Sequence, residues 1–204
     1  MPPKSSDLSA IQASLVDLTE QIRLMNKNLN DSLDKQEKLS RRITEVEILA
    51  NDTAQHQRSH SVRIFGLQTT QEDNNDPFTV SSQVYEAILP ILNIAVECKQ
   101  LASVPPLLDT IDIAHILPSR SGQNTIICRF RSKLMRLAVL RNKKTYFTKQ
   151  SAIKFSISDD LTRLNYMLLK KTKENPDTTA CWFANGKIKY RIKNDDKTHI
   201  ASLA

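Results

Sequence analysis

Glycine is nearly missing from this chain. Only Gly66, Gly122 and Gly186 occur in 204 residues. Loops that cradle phosphates in nucleotide-binding enzymes need two or three glycines within a short span. The commonest nucleotide-binding enzyme classes are therefore disfavoured. Cysteine is scarce and odd in number: Cys98, Cys128 and Cys181 lie far apart. That count argues against a disulfide scaffold, fits a reduced intracellular compartment and leaves no Cys/His pair at zinc spacing. Aromatics make up 5% and apolar residues 40% of the chain, so the core must be modest. The most apolar run, 87–96, holds Pro90 and Asn93 and is far below membrane-spanning length. The first ten residues lack the apolar centre of a signal peptide. The expectation is a soluble, intracellular protein without membrane partner, metal, cofactor or small-molecule substrate.

Catalytic groupings are missing too. His56, His60, His115 and His199 sit apart from any nucleophile motif. Asp159 and Asp160 are adjacent before Leu161, where helix capping explains them better than metal chemistry. No enzyme is expected.

What the chain does have is positive charge, unevenly placed. Residues 124–204 carry 18 Lys+Arg against 6 Asp+Glu, a local +12, while the whole chain is only +7. Residues 1–60 come to −1 (8 against 9) and residues 61–123 to −4 (3 against 7). A field of one sign over the last third attracts polyanions. An ordinary lysine-rich solvated face is the competing reading, and the interleaving of these charges with strand signals ranks polyanion binding above it.

From residue 8 to residue 50 a seven-residue pattern runs unbroken. One set of positions reads Leu8, Leu15, Ile22, Leu29, Gln36, Ile43 and Ala50; the other reads Ile11, Leu18, Met25, Ser32, Leu39 and Val46. About six heptads with a/d patterning signal a coiled coil rather than one amphipathic helix laid on a core. Ile and Leu at both a and d lean away from strict dimers. Arg42, Ile43, Val46 and Glu47 resemble the Arg-h-x-x-h-Glu pattern of parallel three-stranded coils. A homotrimer follows as the expectation, with Ser32 and Gln36 fixing the register.

Residues 51–60, without apolar periodicity, read as a polar linker. The next stretch, 61–156, reads as a β-α-β-β-α module. Strands are expected at 62–67, 110–117 and 124–131, and helices over 80–96 (broken or kinked at Pro90) and near 132–143. A last strand is expected at 152–157. This α+β order is the ferredoxin-like arrangement that RNA-recognition motifs use. Their stacking rings are not in place: Arg63 stands where the first strand would carry one. Alternation sends Ile127, Arg129 and Arg131 to the face opposite Ile126, Cys128 and Phe130. If the arginines face solvent, the sheet offers guanidiniums for phosphate contacts; otherwise they are incidental to a structural sheet.

Residues 157–204 read as a basic C-terminal module. Ser158-Asp159-Asp160 marks a helix start, with Leu161, Leu164 and Leu168 as its buried stripe. Asn185-Gly186 between alternating runs is the strongest short hairpin signal. A two-residue loop pairs Ala184 with Lys187, Phe183 with Ile188, Trp182 with Lys189 and Cys181 with Tyr190. Trp182 then shares a face with Lys187, Lys189 and Arg191. Either the ring is a stacking plate among cations, or it packs under the neighbouring module behind lysine stems.

These stretches in this order resemble one family. VRIFGL (62–67), DIAHILP (112–118), NTIICRFRSKLMRLAVLRNKK (124–144), ISDDLTRLNYMLLKKTKE (157–174) and CWFANGKIKYRI (181–192) are similar to the first-open-reading-frame protein of LINE-type non-LTR retrotransposons. The local phrasing is close to the related C-terminal domain of the baculovirus few-polyhedra protein. The resemblance implies sequence-tolerant binding of single-stranded RNA or DNA, nucleic-acid chaperoning and a cytoplasmic, or also nuclear, ribonucleoprotein. It implies contacts from Arg120, Arg129, Arg131, Lys187, Lys189 and Arg191. Together with Arg63, Trp182 and Lys154, these form the candidate set. Leu15, Ile22, Leu29, Leu39, Arg42, Ile43, Val46 and Glu47 are the expected oligomerisation residues. In the family's Ala-His-Arg-Leu-Pro, Ile116 takes the arginine's place, removing one phosphate contact unless Arg120 supplies it. The competing reading is a non-catalytic assembly adaptor like the baculovirus relative.

Overall fold

The computed structural model describes residues 5–69, 76–118, 125–150, 155–193 and 195–202. It is an α+β structure with a long N-terminal helix and antiparallel sheets. The chain divides into two compact units, 1–50 and 51–204.

The first unit consists of the greater part of helix α1, Ser5–Gln57. No glycine or proline interrupts it, and i,i+3 and i,i+4 pairs such as Arg23–Glu20 at 2.8 Å brace its flanks. Its seam is uncovered in the single chain. Ile11, Leu15, Leu18, Ile22, Met25, Leu29, Leu39, Ile43 and Val46 are all 51–71% exposed. Arg42 and Glu47 have no ion-pair partner among the described residues.

In the second unit, α1 does not stop at residue 50. The polar linker expected over 51–60 is helical as far as Gln57. Asn51 and Gln55, one turn apart, are 6% and 4% exposed. The Asn51 carbonyl accepts from the Thr162 hydroxyl at 2.6 Å, and its amide donates to Asn165. Gln55 donates to the Asp160 carbonyl and accepts from the Thr162 backbone N–H, both at 2.9 Å. The buried stripe here is polar and fully hydrogen-bonded, so an apolar periodicity never appears.

The central sheet is built from β1 (Ser61–Phe65), β2 (Ile111–Leu117), β3 (Thr125–Phe130) and β4 (Ser156–Asp159), in the order β2-β3-β1-β4 and antiparallel throughout. Helices α2 (Pro77–Glu97) and α4 (Lys133–Lys149) pack on it and on each other, and a short α3 (Leu107–Thr110) leads into β2. Period-two alternation puts Val62, Ile64, Ile126, Cys128 and Phe130 into the core against Val84, Ile88, Ile91 and Leu92 of α2. Burial pushes the Cys128 thiol up, keeping it protonated.

Helix α2 starts three residues earlier than expected. The Asp76 carboxylate caps it, accepting from the Thr79 N–H at 2.9 Å, with Pro77 in the first turn. Of the break or kink expected at Pro90, the break does not occur: α2 runs continuously through it. An interior proline costs about 3 kcal/mol. Burial of Ile88, Ile91 and Leu92 on both sides of it, all 0% exposed, offsets that at about 1.5–3 kcal/mol each. Among the described residues α2 is the one helix long and apolar enough to cross a bilayer, and this same face is buried in the core.

Helix α5 (Arg163–Glu174) packs on a second sheet, β5 (Thr178–Ala184), β6 (Lys187–Ile192) and β7 (Asp195–Ile200), ordered β5-β6-β7. Its expected start at Ser158-Asp159-Asp160 is instead β4 and the turn beyond it; the cap is Thr162, whose hydroxyl accepts from the Asn165 N–H. Both acids are already engaged, Asp159 by Arg136 and Asp160 by Arg58 and Arg63. Leu164, expected in the buried stripe, is 43% exposed; the inward position is taken by Asn165, whose side chain bonds to Asn51 and Gln55.

The hairpin β5–β6 has the register Ala184–Lys187, Phe183–Ile188, Trp182–Lys189 and Cys181–Tyr190. Its turn residues Asn185 and Gly186 both have positive φ, 54° and 80°, as a type I′ turn requires. A Cβ on Gly186 would meet nothing within 4 Å. Gly186→Ala should therefore cost only the left-handed backbone strain, about 1 kcal/mol. A thermal midpoint lowered by about 2–4 °C would report it.

Candidate nucleic-acid interface

Within the second unit the last turn of α1, helix α4 and the β5–β6 turn enclose a cleft of about 740 Å³. Five cations line it, Lys133, Arg136, Arg141, Lys143 and Lys187, against the acids Asp52 and Asp159. Helix α4 carries six Lys or Arg and no acid. Met135, Ala138, Val139 and Tyr146 anchor its other face in the core. Lys133 sits in the first turn, where positive charge opposes the helix dipole. A broken local rule of this kind marks a residue kept for something other than stability.

Two of the five cations are structural. Arg136, 6% exposed, donates to the Ser61 carbonyl at 3.1 Å and pairs with Asp159. Lys143 donates to the Ile157 carbonyl at 2.6 Å. Burial lowers the pKa of both groups, against the attraction of Asp159. Burial likewise raises the Asp159 carboxyl, against the pull of Arg136 and Lys143. Desolvation outweighs pairing on both sides, as in many buried ion clusters. Lys133, Arg141 and Lys187 remain: all exposed, with no ion-pair partner among the described residues.

Lys187 leads out of the cleft along β6. Alternation places Lys187, Lys189 and Arg191 on one face, a row of about 13 Å. Trp182 lies directly opposite Lys189. The Arg191 guanidinium stands 5.7 Å from the Trp182 ring centroid, within cation–π range. The other face is the packed one. Ile188 is 1% exposed, and burial raises the Cys181 thiol. Trp182 is therefore half-buried on the outer face, under an arginine rather than under α5. A surface of this make-up can neutralise successive phosphates and offer one π-face between them.

The central sheet departs from expectation. Arg63 donates to Asp160 at 2.7 Å, and Asp160 is 3% exposed. Arg129 lies 3.4 Å from Asp112. Arg131 donates from Nε to the Leu108 carbonyl at 2.8 Å and is otherwise exposed. Two of the three arginines read as phosphate contacts are thus matched by acids, so the sheet is not a field of free guanidiniums. It also carries a ring that went unnoticed: Phe65 shares the face of Arg63, two residues on, and is 38% exposed. Arg120 and Lys154 lie outside the described residues.

The structure therefore joins Lys187, Lys189, Arg191 and Trp182, removes Arg63, and adds Lys133 and Arg141. The signal for the additions was in the sequence: 133–149 holds cations at helical spacing with no acid to pair them. Among the described residues no group of three His, Cys, Asp or Glu side chains could hold a metal ion. Compared with known proteins, the chain matches no family model and no curated protein.

Proposed function

We propose that the protein is a non-catalytic, sequence-tolerant binder and chaperone of single-stranded nucleic acid, homotrimeric through α1. It belongs, on this reading, to the cytoplasmic ribonucleoprotein of a LINE-type retrotransposon, with nuclear entry open. One observation carries the reading: the unpaired cations of α4 and β6 line a single cleft and continue past the half-buried Trp182. Charge without base-edge readout favours backbone contacts and little sequence preference. A half-buried ring set among cations, able to exchange its arginine for a base, favours a single strand over a duplex.

The order β2-β3-β1-β4 with two helices packed on the sheet supports the ferredoxin-like, RNA-recognition-type reading of 61–156. The uncovered seam and the unpaired Arg42 and Glu47 support the parallel trimer. Three modules on one coil would raise the avidity for a long strand by local concentration.

Replacing Lys187, Lys189 and Arg191 together by Ala tests the proposal by fluorescence anisotropy with a labelled strand. The salt dependence should flatten by about 2 in log–log slope, at about 0.7 per phosphate contact. Affinity should fall at least tenfold at low salt while light scattering still gives a trimer. The exposed seam also suits a pure assembly adaptor, and unchanged binding in the triple variant would favour that reading.

A further inference from the structure

Helix α5 presents a second aromatic ring among cations. Tyr166 is 59% exposed. Arg163 precedes it by three residues, and Lys170 and Lys173 follow by four and seven, so all four share one helical face. The opposite face, with buried Asn165 and half-buried Leu168, Leu169 and Thr172, is turned inward. The helix carries four cations and one acid, Glu174, which lies 3.8 Å from Lys170 with both side chains largely exposed. A pair so exposed and long competes weakly with a phosphate.

This face and the row of Trp182, Lys187, Lys189 and Arg191 lie on opposite sides of the second sheet. Helix α5 packs on β5 and β6, on the side of the sheet where Ile188 is buried. Trp182 on β5 projects to the other side of the sheet.

We propose that this face of α5 is a second stacking site for single-stranded nucleic acid, with Tyr166 receiving a base and Arg163, Lys170 and Lys173 the flanking phosphates. The inference rests on the nucleic-acid reading above. Charge decides against a protein partner: Arg163, Lys170 and Lys173 stand on this face against the single acid Glu174, with the exposed Met167 among them.

The test uses the full chain with labelled oligothymidine of about 30 nucleotides and a strand of equal length built from abasic sugars. Tyr166→Ala should weaken oligothymidine about tenfold and leave the abasic strand unchanged; Tyr166→Trp should restore the affinity. Arg163→Ala with Lys173→Ala should weaken both strands and flatten the salt slope by about 1.4. The proposal fails if Tyr166→Ala binds both strands like the parent while Lys187→Ala is impaired, an outcome that leaves the cleft reading standing. It fails also if Tyr166→Ala alters the mass by light scattering without nucleic acid, which marks a protein-docking face. A parent chain that binds neither strand removes the wider reading and this site with it.

Discussion

A chain carrying Ile22→Asp and Ile43→Asp should be monomeric by light scattering and bind a long single strand about 10²–10³-fold more weakly than the parent. Both positions lie on the uncovered seam of α1, 51% and 59% exposed in the single chain. In an assembled coil they face their counterparts, so each substitution would bury like charges together without partners, a change worth several kcal/mol per layer. The loss of affinity comes from lost linkage alone, since no cation of the second unit is altered. A strand too short to reach two modules should therefore bind the variant and the parent alike. Equal affinity for the long strand would mean that oligomerisation contributes nothing to binding.

The second large effect concerns stability. Asp160→Ala should lower the unfolding free energy by about 2–3 kcal/mol, within the range for hydrogen bonds to charged groups, read from the midpoint of urea denaturation at unchanged slope. Asp160 is 3% exposed and its Oδ1 accepts from Arg58 Nη1 at 3.1 Å and Arg63 Nε at 2.7 Å. Removing it leaves two guanidiniums facing each other in a half-buried site. The same residue's backbone carbonyl is held by Gln55, so the end of α1, the first strand and the approach to α5 are joined there. A loss below about 0.5 kcal/mol, the size of an ordinary surface change, would show that both arginines find water as easily as the acid.

These two predictions draw on features of unequal legibility. The heptads of residues 8–50 reveal the long helix directly, because a seven-residue repeat has few other structural meanings. The hairpin register is as plain, since Asn185 and Gly186 both accept the left-handed backbone that the tight turn demands. The first three sheet strands follow from alternation, and Ile126, Cys128 and Phe130 are buried as the period requires; the last, expected at 152–157, is found at Ser156–Asp159, where an ion-paired acid stands in the strand.

What stayed hidden has a common cause: polar residues working as core. Asn51 and Gln55 extend the helix by hydrogen bonding, where a reading by apolar periodicity finds only a linker. Asp159 and Asp160 look like a helix cap in sequence and are ion-pair partners of arginines from distant segments. Arg63 looks like a free contact for the same reason, since the buried Asp160 meets it only after folding; Arg129 meets Asp112 in an exposed pair that sequence separation likewise conceals. Strand β7 gave little signal because its side chains, from Asp195 to Ile200, alternate weakly. Its Ile200 nonetheless pairs with Lys189 and extends the Trp182 face.

Charge as the basis of recognition is tested most simply by titrating the full chain with two labelled single strands of unrelated sequence over a range of salt. In the cleft, on β6 and beside the central sheet, Lys133, Arg131, Arg141, Lys187, Lys189 and Arg191 are exposed or half-exposed and have no acid partner among the described residues; any contact from α5 would steepen the response further. Six contacts on a single strand predict a log–log slope near −4, with the two strands giving superimposable lines. A flat response, or lines separated by more than tenfold in affinity, would contradict phosphate-led, sequence-tolerant binding.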